Sequence, residues 1–407
     1  MSYLFFKNIN QEEFDEFVKN HEYCNLLQSY NWAKVKNNWD HMYTGVYRDN
    51  ELVATGLVLI KRLPLSFCMY YLPRGPIMDY KDKELVQYYF GQLKKLAKKD
   101  HCIFIKFDPA IHVNDYDSKS YNTNRYEDTD TYLEIFKSCK AIHHGYTMSI
   151  ADTVQPRFQS NVYSYENIDE TLPKHTKRLI KDADRRNVQI IHGQGELLDE
   201  FSRLVELTES RKGVALRDKG YFKTLLENYK DGGVIFLAMC NVYQLNKEAK
   251  IKKVKLEKEI AQTCENAKKK LHRLEDQLRS VDNDIKEFKE IFSEFGQEDK
   301  DIAIAGILSI QYGNTCEMLY AGMDERFKKF MPQYKEYVEN FKWAFERGCS
   351  WSNMGGVEGT LDDGLTKFKD NFNPTINEFI GEFDIPVYPF MYRLTQKAYR
   401  ILKSKHM

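Results

Sequence analysis

Between Val234 and Phe295 the sequence contains neither proline nor glycine. Apolar residues recur there at Ala267, Leu271, Leu274, Leu278, Val281, Ile285, Phe288, Phe292 and Phe295, in steps of four and three. That spacing is a coiled-coil seam. Leu245, Ala249, Leu256 and Ile260 continue it more loosely upstream. One straight helix over this stretch would end on the order of 75 Å from its start. The flanking segments "VIFLAMCNV" and "IAIAGILSIQYG" both read as strands of a single sheet. The chain must therefore come back. This predicts an antiparallel helical hairpin over residues 244–299, turning near Asn266 to Lys270 and projecting as an arm.

The arm interrupts the second of two similar patterns. In the first, "MYTGVYRDNELVATGLVLIKRL" reads as two strands joined at Arg48–Glu51, and "KELVQYYFGQLKKLAKK" as an amphipathic helix with Leu85, Tyr89, Leu93 and Leu96 on one face. "HCIFIKFDPAI" follows as a buried strand. In the second, a helix "GELLDEFSRLVELTESRKG" ends at Gly213 and a helix "GYFKTLLENYKDGG" stops at two glycines. Strands, the helix "PQYKEYVENFKWAFERG" and "CSWSNMGG" come after. The fold class expected is α/β, with two related domains in tandem. The boundaries are 1–150 plus 380–407 for the first, 151–379 for the second, and the arm 244–299 inserted in the second.

A chain of 407 residues with zero formal net charge has no global basic field, so any nucleic-acid contact must come from local patches. The arm holds such a patch. From Lys247 to Arg273 there are ten Lys/Arg against four Asp/Glu; from Leu274 to Asp299 there are three against nine. Pairing between the legs and contact with an RNA backbone both follow from that division. The eight cysteines form no C-x-x-C and no paired Cys/His spacing, which argues against zinc and suits a reducing cytosol. "MSYLFFKNINQEEF" meets charges too soon for a signal peptide, and no apolar run approaches the roughly 18 residues of a membrane span. A cytoplasmic protein is expected.

Several residues can carry chemistry. Asp108 ends a buried strand, where α/β folds place reacting groups; it also suits an Asp-Pro turn. Arg74 and Gly75 lie between prolines in "YYLPRGPIMDY", so the backbone approaches something closely there, either a ligand or a neighbouring strand. Helix "LPKHTKRLIKDADRRN" presents a basic face. His143-His144 is the only histidine pair, on a loop with no matching acid in view. "NMGGVEGTLDDGLTKFKDNF" puts four glycines before Lys367 and Lys369, without the G-x-x-x-x-G-K-[ST] spacing of a phosphate loop. Neither domain carries the Q/R-x-x-G-x-G/A loop that binds coenzyme A, which disfavours an acetyl-CoA enzyme.

"LQSYNWAKVK", "YYLPRGPIMDY", "FIKFDP", "LPKHTKRLIKDA", "TESRKG", "MLYAGMDERFKKFMPQY" and "FKDNFNPTINEFIGEFDIPV" appear in order along nearly the whole chain. Together they resemble the Fem family of peptidoglycan interpeptide-bridge aminoacyltransferases, and most closely its MurM type. The resemblance implies two acetyltransferase-like (GNAT) domains in tandem. It implies transfer of Ala or Ser, the first branch residue, from aminoacyl-tRNA to the stem-peptide lysine of a lipid-linked precursor at the inner membrane face. The aminoacyl ester is already activated, so no metal and no cofactor are implied.

By position, Asp108 matches a carboxylate of the acceptor site, and Lys369 the lysine at the donor end. Lys36 and Arg211 match residues that hold the precursor's pyrophosphate, with Arg74 and Tyr221 as further substrate contacts. Glycines 355–364 would turn the chain tightly beside the groove and deliver Lys369 to the ester. Where the family often has Lys-Gly-Phe, this chain has Asp370-Asn371-Phe372. On the arm, Lys252, Lys253, Lys255, Lys268, Lys269 and Lys270 are the expected tRNA contacts. The basic, aromatic tail "YRLTQKAYRILKSKHM" suits anionic lipid or a helix packed on the first domain. Two alternatives remain: a non-catalytic tRNA-binding or coiled-coil scaffold on a degenerate GNAT fold, and a tRNA-dependent transferase with a protein or peptide acceptor.

Overall fold

The computed structural model describes residues 2–117, 123–164, 167–213, 217–296 and 298–405. The chain lays down β1 (Tyr3–Lys7), β2 (Asp40–Arg48), β3 (Glu51–Arg62), β4 (Cys68–Arg74), the short β5 (Ile77–Met78) and β6 (Cys102–Pro109) in one sheet. It crosses to a second sheet for β7 (His112–Asp117) and β8 (Thr123–Arg125), then returns for β9 (Ile142–His143). β10 (Phe158–Tyr163), β11 (Gln189–Gly193), β12 (Gly233–Cys240), β13 (Ile302–Tyr312), β14 (Thr315–Met323), β15 (Trp351–Val357) and β16 (Thr375–Phe379) all join the second sheet. Finally β17 (Phe383–Pro386) goes back to the first. The orders are β1-β2-β3-β4-β6-β17-β9, with β5 beside β3, and β11-β12-β13-β14-β15-β10-β16-β7-β8.

The duplicated pattern is visible in both. β2-β3-β4 and β12-β13-β14 are antiparallel meanders. Each is followed by a helix, Lys83–Lys99 or Pro332–Glu346, that crosses over to a parallel partner, β6 or β15. Asp49 and Asn50 join β2 to β3, both at positive φ (51° and 71°), as a two-residue hairpin requires. Gly213 closes the helix Leu198–Lys212 in the left-handed conformation at φ 63°.

The two sheets share a core. Tyr43, Leu57, Leu59 and Tyr71 of the first pack in one cluster with Ile235, Leu237, Leu308 and Ile310 of the second, around Phe14, Phe201 and Phe222 from helices. Burying one such ring stabilises by about 1.5–3 kcal/mol. A second cluster fills the outer face of the first sheet beneath helix Lys83–Lys99.

The arm is an antiparallel pair of helices, Val242–Gln262 and Lys268–Phe295, so the reversal falls at 263–267, slightly earlier than the spacing predicts. Asn241 starts the first leg by accepting the Gln244 N–H. Leu256, Leu274 and Val281 are buried along the seam, and Phe288, Ile291 and Phe292 anchor its base against Phe327 and Phe330. A leg of 28 residues is about 42 Å long.

The tail is helical over Pro389–Lys405. Met391 and Tyr392 pack on Ile103, Phe104 and Met69 of the first sheet, together with Leu63 and Phe67 of the β3–β4 hairpin. Among the described residues no helix is long and apolar enough to cross a membrane.

Candidate active site

β4 and β6 end side by side, Pro73 opposite Asp108 and Arg74 opposite Pro109. Asp108 is 1% exposed. It accepts the Arg74 backbone N–H at 2.9 Å and the Tyr71 hydroxyl at 3.2 Å. Burial pushes its carboxyl up to about 7; the Arg74 charge offsets part of that rise, and Glu382 adds to it. Arg74 crosses to the other sheet. Its guanidinium donates to the Pro156 carbonyl at 2.6 Å and lies 3.9 Å above the Phe379 ring. The neighbouring Gly75 settles the question of close approach: a Cβ there would meet Gln28 at 2.4 Å. Gln28 in turn holds the Pro73 carbonyl and the Leu57 N–H.

Lys369 closes the short helix Gly364–Lys369, which Asp363 caps through the Leu365 and Thr366 N–H groups. Its ammonium is buried and donates to the carbonyls of Gly355 and Gly356, each at 2.9 Å. Those glycines belong to β15 rather than to a turn. Gly355 holds φ 87°, and a Cβ on Gly356 would meet Pro156 at 2.5 Å. The strand needs them so that the segment joining the sheets can cross it closely. Lys367 is exposed.

Lys36 lies 5.1 Å from the Trp32 ring and 5.6 Å from the Tyr221 ring, and Arg217 caps Tyr221 at 5.2 Å. Burial, then the Arg217 charge, lowers the Lys36 pKa, and burial raises that of Tyr221. Two cations thus stand over one aromatic ring. Arg211 is engaged elsewhere, 3.5 Å from Glu325 at the end of its helix. Arg217, itself exposed, stands beside Lys36 instead, where the sequence carries no pattern that would single it out.

On the arm, Lys253 pairs with Asp282 at 2.6 Å and Lys270 with Glu259 at 3.1 Å, so these two bridge the legs. Lys252, Lys255, Lys268 and Lys269 are exposed.

His144 has an acid after all. Its Nε2 is 2.8 Å from Asp384, which with Glu382 also holds Lys106, both at 3.0 Å. The partner comes from the last strand, and separation along the chain hid it. A second missed group is Glu317, bonded by the Asn353 amide at 2.7 Å. The available signal was a carboxylate inside the apolar strand "CEMLYAG".

Two meanders with a parallel crossover in each, joined through a shared core, define the tandem GNAT-type architecture. The chain belongs to the FemAB family, whose model matches residues 9–400. It is 27% identical to the lipid II:glycine glycyltransferase of Staphylococcus epidermidis, over 98% of this chain and 97% of that protein. The protein of the same name from Staphylococcus aureus is likewise 27% identical over 98% and 97%. Among solved structures, FemX superposes with a TM-score of 0.76 at 24% identity, covering 97% of this chain and 99% of the other.

Proposed function

We propose that the chain is an aminoacyltransferase that moves a small amino acid from charged tRNA to the lysine side-chain amine of the lipid II stem peptide. The observation that carries this reading is the match, over nearly the full length of both chains, to proteins named lipid II:glycine glycyltransferase. An amine of pKa about 10.4 must lose a proton before it attacks, and the tetrahedral oxyanion needs a positive group. Asp108 serves the acceptor side and Lys369 the oxyanion. Lys36, with Arg217 and Tyr221 beside it, takes the pyrophosphate. Arg74 ties the two sheets together beside Asp108, and Arg211 pairs with Glu325 instead.

A lipid-linked acceptor also suits the far end of strands β4 and β6. Tyr71 and Lys106 face each other in register, and Met69 and Phe104 lie two residues further along the same strands. The hairpin and tail helix pack there, exposing Leu65 (86%), Phe390 (73%) and Leu394 (47%) beside Arg393 and Lys397. That edge is roughly 20 Å from Asp108 along the strand. Apolar side chains ringed by cations fit an anionic bilayer holding the acceptor's lipid.

The residue motifs favour Ala or Ser as the first branch residue, in the MurM manner, whereas the relatives are named for glycine. The test is transfer of labelled Gly, Ala and Ser from charged tRNA to lipid-linked and nucleotide-linked lysine pentapeptide precursors. Label on the lipid-linked species, abolished by Lys369→Ala, is expected, and competition among the three donors ranks them. Binding of tRNA with no label on either precursor would leave a scaffold.

A further inference from the structure

The two copies of the crossover differ at one point. In the first sheet β4 and β6 stay paired to their ends, Arg74 opposite Pro109. In the second, β14 and β15 pair only at Thr315–Trp351, Cys316–Ser352 and Glu317–Asn353. Beyond Glu317 the strands part. β14 runs on beside β13, while β15 continues along β10. In the wedge between them, beyond Glu317, no strand among the described residues pairs with β14 on the side facing β15, while on the β15 side Lys369 and Asn353 bond the main chain of Gly355.

Glu317 and Asn353 face each other at the apex of that wedge. Asn353 donates to the Glu317 carboxylate at 2.7 Å and accepts the Gly355 N–H at 2.6 Å. The Gly355 carbonyl accepts the Lys369 ammonium. One hydrogen-bonded run therefore joins Glu317 to the donor-side lysine. Among the described residues Asn353 is the only hydrogen-bond partner of Glu317, whose side chain is partly exposed. Asp108 is nearly sealed and has both oxygens occupied. The charged and titratable groups that act on Glu317 are Arg74 and the thiols of Cys24 and the adjoining Cys316. Burial raises the Glu317 carboxyl to about 7, with the Asn353 bond and the Arg74 charge holding it down in part.

We propose that Glu317 is the base that takes the proton from the acceptor amine, held in place by Asn353, at the apex of a wedge that receives the aminoacyl end of the donor. This rests on the aminoacyltransferase reading above. The acceptor ammonium gives one proton to the Glu317 carboxylate. The freed amine attacks the ester carbonyl, forming the C–N bond, and the negative charge collects on the carbonyl oxygen near Lys369. As the C–O bond to the ribose breaks, the second amine proton goes to the leaving ribose oxygen. Glu317 releases its proton to water, leaving an amide, a free tRNA hydroxyl and one proton. Asp108 then orients Tyr71 and Arg74 at the acceptor site.

The test uses the full chain with charged tRNA and lipid II. Glu317→Gln is expected to lower kcat about 100-fold or more at pH 7 with KM for both substrates near that of the unaltered chain. The rate of the variant should then climb about tenfold per pH unit from pH 7.5 to 9, as solvent deprotonates the amine. Glu317→Asp should recover part of the rate. Activity of Glu317→Gln within threefold of the unaltered chain overturns the assignment, as does a loss that keeps the original pH profile. Absence of any transfer by the unaltered chain overturns the aminoacyltransferase reading, and this assignment with it.

Discussion

Asp108 shows how one burial decision sets both stability and chemistry. Its carboxyl titrates near 7 in the folded chain, against about 3.9 when exposed. Below the lower value both states are protonated and the difference vanishes. As the pH rises through that window the unfolded chain ionises first, so stability is lost up to about 7 and stays lost above it. Asp108→Asn keeps the shape and removes that cost. Its Tm should exceed that of the unaltered chain more at pH 8 than at pH 5 in paired calorimetry, while transfer falls. An equal offset at both pH values would contradict the buried, protonated state. Lys369 was singled out in the sequence by its match to the family motif, whereas its bonds to Gly355 and Gly356 were not legible there. The glycines announced a turn, whereas Gly355 and Gly356 lie within β15, and Gly356 lets the segment at Pro156 pass close across it.

At the scale of the element, the arm was the most legible feature. Its period and its freedom from breakers depend on neighbours three and four residues away, and so does its structure. Truncating a seam residue should be felt: Leu274→Ala is expected to cost about 2–5 kcal/mol, seen as earlier loss of helical signal in urea. We expect the four exposed lysines, Lys252, Lys255, Lys268 and Lys269, to carry the tRNA contact. Their joint change to Glu should weaken tRNA binding and flatten its salt dependence; an unchanged slope would assign the basic leg to solvation alone. What the sequence concealed is pairing over long separations. His144 with Asp384, Arg74 with Pro156, and Glu317 with Asn353 each join elements whose spacing no local pattern records. Arg217 beside Lys36 is the same case, since only the packing of one helix on another brings them to Tyr221.

Across the whole molecule, the exposed edge of Leu65, Phe390 and Leu394 makes a prediction separate from catalysis. Leu65→Asp with Phe390→Asp should reduce sedimentation with anionic vesicles while transfer to a detergent-dispersed acceptor is kept. Undiminished sedimentation would exclude this edge as the point of attachment. The shared core has its own signature: Phe201→Ala should cost about 3–5 kcal/mol and lower a single unfolding transition rather than split it. β17 has a consequence of a different kind. It lies between β6 and β9, yet it is supplied by residues 383–386, near the end of the chain. While the ribosome is still making the second sheet, β6 is left with an open edge that has no strand to cover it. The first lobe is thus synthesised first and completed last, and for most of its birth this protein must be kept from pairing that edge with a stranger.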